Sequence, residues 1–229
     1  MPTALSLPDD MSFCDVFGRL VFLDVAGDRY FQLPPELERA FRSYMTGGIE
    51  QDGDIDRLTE LGVLAEPASH SCRLSAAHAT EAARSAMERP RIQGDPLGTT
   101  VLLEVFATIV RTQFDLRTTT LKKVLDRLAQ YRCHHAPTLE SHAKMTGDRQ
   151  TSIAAAVFRR SRAFVPIQPR CLLDSVALVR FLSARHCHAN IVFGVTRDPF
   201  SAHCWVQSND EVLNDSVGNV RTYTPIRII

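Results

Sequence analysis

The order of apolar and polar positions divides the chain into two stretches of different character. Over residues 11–33 the pattern is extended: LVFLDV (20–25) alternates loosely, AGD (26–28) reads as a tight hairpin turn, and RYFQL (29–33) resumes the strand pattern. A helical period follows. PPELERAFRSYM opens with proline in its first turn, sets Leu37, Phe41, Tyr44 and Met45 on one face and stops at Gly47-Gly48. DIDRLTELGVLAE (54–66) spaces Ile55, Leu58 and Leu61 three residues apart and closes at Gly62. Three short strands and short helices predict a small α+β module.

Residues 67–98 are weakly patterned. SAAHATEAARSAMER (75–89) has helical composition, and PRIQGDPLG (90–98) does not. The domain boundary falls in this bridge, which assigns 1–70 to the module, 71–98 to a linker and 99–229 to a second domain. The apolar run from 99 to 131 breaks near 115–120 into two amphipathic helices. Two more lie in 152–186: the first ends before Pro166, and the second starts around Arg170–Leu172 with Leu173, Val176, Ala177, Arg180 and Phe181 on one stripe. HANIVFGVTR (188–197) and AHCWVQ (202–207) read as strands, and EVLNDSV (211–217) as a strand pairing back through SND. The fold class is α+β.

Composition narrows the function. Lys+Arg and Asp+Glu both number 26 in 229 residues, which argues against a nucleic-acid binder, whose affinity comes mainly from excess positive charge. No apolar run approaches the length of a membrane span, and the start MPTALSLPDDMSF carries no basic and apolar export signal. Reduced cysteines in the cytoplasm are therefore expected for positions 14, 72, 133, 171, 187 and 204, with no pair spaced C-x-x-C. CHHAPTLESH (133–142) and HCH (186–188) place their ligand-type residues side by side, where neighbours point apart, so neither reads as a metal site; His186 suits a helix C-terminus. No cofactor is expected.

The chemistry concentrates in the last third. Cys171 lies in the first turn of its helix, where unpaired N–H groups and the helix dipole favour a thiolate. A three-residue loop at 208–210 would set Gln207 opposite Glu211 and His203 opposite Asp215, with Cβ atoms about 5 Å apart. Taken singly, His203 reads more simply as a core histidine and Asp215 as a turn residue. Taken together, Cys171, His203 and Asp215 follow the order helix N-terminus, strand, next strand. That is the arrangement of papain-like and transglutaminase-like cysteine hydrolases. The N-terminal module has no histidine before residue 70 and one thiol, Cys14. It reads as a structural appendage or as a binding module, whose strand edge beside an apolar helix accepts an extended peptide.

PRCLLDSVALVRFL, IVFGVTRDPFSAHCWVQ and VLNDSV followed by YTPI resemble the leader peptidase (B protein) of lasso-peptide biosynthesis, a transglutaminase-like cysteine protease. The resemblance is close over about 160–226 and looser over 100–160. Cys204 departs from it, standing where a small residue is usual between His and Trp. Strand alternation places it on the face opposite His203, where it is at most an adventitious oxidation partner. The first 66 residues resemble the PqqD-like RiPP recognition element, a small winged-helix-like domain that captures a leader peptide along its third strand and third helix. Those map onto Arg29–Leu33 and Ile55–Leu64, which makes Arg29, Tyr30, Phe31, Ile55, Leu58 and Leu61 the peptide-binding candidates.

The resemblance implies a precursor peptide as substrate, acyl-enzyme formation on Cys171, and transfer of the freed core to an ATP-dependent macrolactam synthetase (C protein). The backbone N–H of Cys171 is the oxyanion candidate, with Gln168 as a second donor. Trp205 reads equally as a wall of the substrate cleft and as a core aromatic. Two other readings stay open: an acyltransferase using the same three residues, and a non-catalytic peptide-binding scaffold.

Overall fold

A computed structural model describes residues 5–48, 52–66, 80–88, 98–134 and 144–229. The chain separates into two units, Met1–Ala77 and His78–Ile229.

In the first unit β1 (Met11–Val16), β2 (Arg19–Asp24) and β3 (Arg29–Phe31) form an antiparallel meander with β2 in the centre. The β2–β3 turn closes because Asp24 Oδ1 accepts the Gly27 N–H at 2.8 Å and Asp28 takes a left-handed φ of 49°. The registers Phe13↔Phe22 and Phe22↔Phe31 place three rings on one face. Phe41 from α1 (Pro35–Met45) packs edge-on against Phe13 and Phe22 at 5.1 and 5.2 Å. Met11, Leu20, Leu33 and Leu37 complete the core with Leu58 of α2 (Asp52–Glu60) and Val63 and Leu64 beyond it. Met45, expected on the inner face, points outward. Glu38 is a buried carboxylate, satisfied by Arg19 Nε at 2.8 Å, Arg42 Nη2 at 2.9 Å and the Leu20 N–H at 3.0 Å.

The second unit sets helices against a five-stranded sheet of order β4-β7-β6-β5-β8. Its strands are β4 (Arg84–Ser85), β5 (Asn190–Thr196), β6 (Ser201–Ser208), β7 (Glu211–Val212) and β8 (Thr224–Ile228). All neighbours are antiparallel except β4 and β7, which run parallel. The helices are α3 (Thr99–Thr118), α4 (Leu121–His134), α5 (Lys144–Arg162), α6 (Cys171–Ser183) and the short α7 (Val217–Val220). The break expected near 115–120 falls at Thr119-Thr120. The fold class is α+β.

Helix α6 is central. It is buried on nearly every side rather than along one stripe, which is the pattern of a helix inside a core. Arg180, spaced as part of that stripe, instead pairs with Asp115 at 2.8 Å.

The helical expectation for 75–89 is corrected by the structure. Residues 84–85 form β4, hydrogen-bonded through Ala83 and Arg84 N–H to Asp210 O and through Ala86 N–H to Val212 O. Alanine-rich composition favoured a helix, but the open edge of β7 supplies partners that a local helix would forgo. The rest of that bridge, 67–79 and 89–97, lies outside the described residues. Among those described, no helix is long and apolar enough to cross a membrane.

Candidate active site

Helix α6 begins at Cys171, behind a turn that is pinned from outside. The guanidinium of Arg162 donates to Asp174 Oδ1 at 2.7 Å, to Val165 O at 3.2 Å and to Ile167 O at 2.8 Å. These bonds tie the end of α5 to the chain that feeds α6. Arg170 is an extended N-cap whose side chain makes no capping bond. The first-turn N–H groups therefore face outward beside an exposed cysteine.

Strands β5 and β6 pair in register from Asn190↔Gln207 to Thr196↔Ser201 and place His203 opposite Gly194. That glycine is required. A Cβ there would lie 2.8 Å from a Trp205 ring carbon and 2.9 Å from Tyr223 Cβ. The bare backbone seats the Trp205 and Tyr223 rings, which back the His203 imidazole at centroid distances of 6.1 and 5.2 Å.

The turn beyond β6 differs from expectation. Gln207 pairs with Val212 and Ser208 with Glu211, so the loop is the two residues Asn209-Asp210, with Asn209 at a φ of 52°. Continued to residue 203, this register would face Ser216 rather than Asp215. Pairing stops first. The Leu213 N–H donates to Val206 O at 2.8 Å, the Val206 N–H donates to Asn214 Oδ1 at 2.7 Å, and the chain bends away toward α7. Asp215 reaches His203 from that bend, with Nε2 donating to Oδ2 at 2.5 Å. The expected contact is present, but an irregular turn makes it, not cross-strand opposition.

The same carboxylate accepts the Ser216 N–H at 2.7 Å and Asn219 Nδ2 at 2.8 Å, and Ser85 Oγ donates to Asp215 O at 2.5 Å. Arg159 donates to Ala86 O and Leu213 O, bracketing the bend. None of Asn219, Ser85, Arg159 or Tyr223 was singled out from the sequence. Only Asn219 left a signal there: Ser216 three residues before it is a helix-cap signature, and the Asn219 N–H does bond to Ser216 Oγ.

The thiol of Cys171 is lowered to about 4. Its largest cause is a hydrogen bond with the Cys204 side chain, followed by one with His203; burial opposes, and the Cys204 N–H adds a further bond. His203 is raised, by its bond to Cys171 first and, against burial, by Asp215. The site thus favours a thiolate–imidazolium pair with the carboxylate behind it. Such a set can attack a carbonyl, deliver a proton to a leaving amine and activate water.

The remaining candidates divide. Gln168 is exposed in the turn ahead of α6 and makes no hydrogen bond to another described residue. Trp205 is 2% exposed and donates to Gln207 Oε1 at 3.0 Å. It is therefore a core residue behind His203, which selects the core reading over the cleft wall. In the first unit Arg29, Tyr30 and Phe31 form the edge strand, with the Arg29 guanidinium 5.4 Å from the Phe31 ring centroid. Ile55 is half-buried and Leu61 is 50% exposed, whereas Leu58 is 0% exposed. Leu58 is removed from the peptide-facing set because its side chain is spent on the core. Among the described residues no group of three or more His, Cys, Asp or Glu is placed to hold a metal ion. The side chains of 133–142 lie outside that set.

A mixed helix–sheet unit with a thiol at a helix N-terminus, an imidazole on a strand of the sheet and its carboxylate in the bend after β7 defines a class. The family model described as Transglutaminase-like superfamily matches residues 108–228, just over half of the chain. The chain belongs to that superfamily. Within the curated proteins it is similar to the Microcin J25-processing protein McjB of Escherichia coli, 44% identical over 46 residues, 20% of this chain and 22% of that protein. The match thus spans about a fifth of the relative's length. No solved structure matches the chain.

Proposed function

We propose that this chain is a cysteine peptidase that removes the leader from a lasso-peptide precursor. The observation that supports the reading is the His203–Asp215 bond of 2.5 Å in the unit whose helix α6 starts at Cys171, a thiol lowered to about 4. The likeness to McjB, named as a processing protein, supports the pathway.

In this reading the Cys171 thiolate attacks the carbonyl at the leader–core junction, and the oxyanion is met by the Cys171 N–H at the start of α6. The His203 imidazolium gives its proton to the departing core amine. A water then loses its proton to His203 and hydrolyses the thioester, which frees the leader carboxylate and restores the thiolate–imidazolium pair. Asp215 holds the imidazole by Nε2 and leaves Nδ1 toward the sulfur.

The first unit acts as the leader-recognition module. The leader adds as a strand beside Arg29–Phe31 and packs on Ile55 and Leu61, and tethering raises the effective concentration of the scissile bond at the thiolate. The freed core passes to an ATP-dependent macrolactam synthetase. Cys171→Ala should abolish leader release while leaving leader binding intact; cleavage by that variant would refute the assignment. A leader product ending in a water-derived carboxylate supports hydrolysis, and an amine adduct would instead support acyl transfer.

A further inference from the structure

Three donors converge on the Asp215 carboxylate, and one of them comes from an exposed side chain. The Ser216 N–H donates to Oδ1 at 2.7 Å, while His203 Nε2 and Asn219 Nδ2 both donate to Oδ2, at 2.5 and 2.8 Å. A carboxylate only accepts, so the amide nitrogen of Asn219 is the atom that faces it. The torsion that turns a carboxylate plane is broad and weakly constrained. A bond to Oδ1 alone leaves that plane free to turn about its held oxygen. A second bond, to Oδ2, fixes it with Oδ2 presented to the imidazole.

The side chain of Asn219 is not needed to hold its own backbone. Ser216 Oγ accepts the Asn219 N–H at 3.2 Å, and Asn219 O accepts the Thr222 N–H at 3.1 Å and Thr222 Oγ1 at 2.7 Å. Val217 and Val220 are buried and anchor α7, and Glu88 Oε1 accepts the Val217 N–H at 3.2 Å. Asn219 itself is exposed. Among the described residues, Asp215 is the hydrogen-bonding partner of its amide. Helix α7 is thus a fixed base from which an exposed amide reaches one carboxylate oxygen, and that oxygen is the one bonded to His203.

We propose that Asn219 is a positioning residue: its amide N–H locks the Asp215 carboxylate in the plane that serves His203. It acts only through Asp215 and takes no part in bond making. The inference rests on the peptidase reading of Cys171, His203 and Asp215.

The test is the kinetics of leader release by the full chain and by Asn219→Ala and Asn219→Leu, the second of which keeps the shape of the side chain without its N–H. Both variants should lower kcat roughly tenfold and leave KM within about twofold. The denaturation midpoint should stay at the unmodified value, because the amide is exposed. In an Asp215→Ala background there is no carboxylate to orient, so Asn219→Ala should cost nothing further. An unchanged kcat in either variant, a rise in KM alone, or an undiminished loss in the Asp215→Ala background would overturn the proposal. Should Asn219→Ala destabilise the chain, Asn219→Leu takes its place. A second readout needs no peptide. The His203 Nε2 proton, followed by proton NMR and assigned by its loss in His203→Gln, should exchange with water faster in Asn219→Ala than in the unmodified protein. Equal exchange sinks the role of Asn219 and leaves the peptidase reading standing, whereas cleavage by Cys171→Ala sinks that reading and leaves the exchange result standing.

Discussion

Replacing Asp215 with asparagine asks whether a carboxylate must hold His203 in the charged form. The side chains of His203 and Asp215 are 19% and 18% exposed, so water screens the pair little. Asparagine keeps the volume of the aspartate and an oxygen for the Ser216 N–H, and it removes the charge. A hydrogen bond to a charged partner contributes about 1.5–3 kcal/mol, and about 1.4 kcal/mol is a factor of ten in rate. Single-turnover leader release should therefore fall roughly ten- to a hundredfold.

The pH dependence has a definite sign. Cys171 and then Asp215 raise His203, so loss of the anion makes the imidazolium give up its proton at lower pH. The thiolate forms near 4 beside an imidazolium that is charged there in both proteins, so the acid limb should stay in place. The window in which both charges coexist should close from its alkaline side. Rates of leader release and of Cys171 alkylation, each taken from about pH 4 to 9, measure both limbs. A variant within twofold of the unmodified protein near pH 7, with the same two limbs, would refute the assignment of Asp215.

Three further outcomes follow from packing and charge. Gly194→Ala puts a methyl group 2.8 Å from the Trp205 ring; overpacking of this kind costs about 1–3 kcal/mol. Both denaturation midpoint and leader release should drop, and an unchanged midpoint would show that the ring has room. Ser85→Ala removes the bond to Asp215 O and the acceptor of the Met87 N–H at 3.0 Å. It should cost about 1–2 kcal/mol and lower turnover more than it lowers leader binding by the first unit. Glu38→Ala leaves the Leu20 N–H without its acceptor and takes one partner each from Arg19, which keeps Leu33 O, and Arg42, which keeps Asp15, for about 2–3 kcal/mol in chemical denaturation of the first unit. In that unit Asp15 is lowered by Arg42 first, and Glu38 is lowered because Arg19, Arg42 and the Leu20 N–H outweigh burial. Depressed carboxylates stabilise above their unfolded values and lose that contribution as pH falls, so unfolding of this unit should set in below about 4.5, seen by circular dichroism.

Elements with strong periodicity could be read from the sequence. The meander of 11–33, the helix from Pro35 and the split of 99–131 all follow from local pattern and turn chemistry. So did Cys171 at a helix start, because Pro169 bars a helix from running through it and the apolar period resumes just after. What escaped depends on contacts distant in sequence. Residues 84–85 become a strand because Asp210 and Val212 offer backbone partners, and nothing within 75–89 records that. Leu58 and Leu61 look alike in the helical period, and only the position of the sheet decides that one is core and the other surface. Alternation along β6 correctly separated Cys204 from His203. It could not show that both flank one helix terminus, since that depends on where α6 crosses the strand.

The short reach of β7 connects these observations. A longer β7 would have satisfied the edge of β6 up to residue 203 with backbone bonds. It ends after Val212, and polar groups from elsewhere take those places. Asn214 accepts the Val206 N–H, and Ser175 donates to Cys204 O. Buried backbone groups at an unpaired edge need partners, and here Asn214 and α6 each supply one. The same early ending frees Asp215 to turn back on His203 instead of lying in register. The loss of two or three ladder pairs thus brings imidazole and carboxylate together. Ser85, Arg159 and Asn219 brace the bend because it has no ladder of its own.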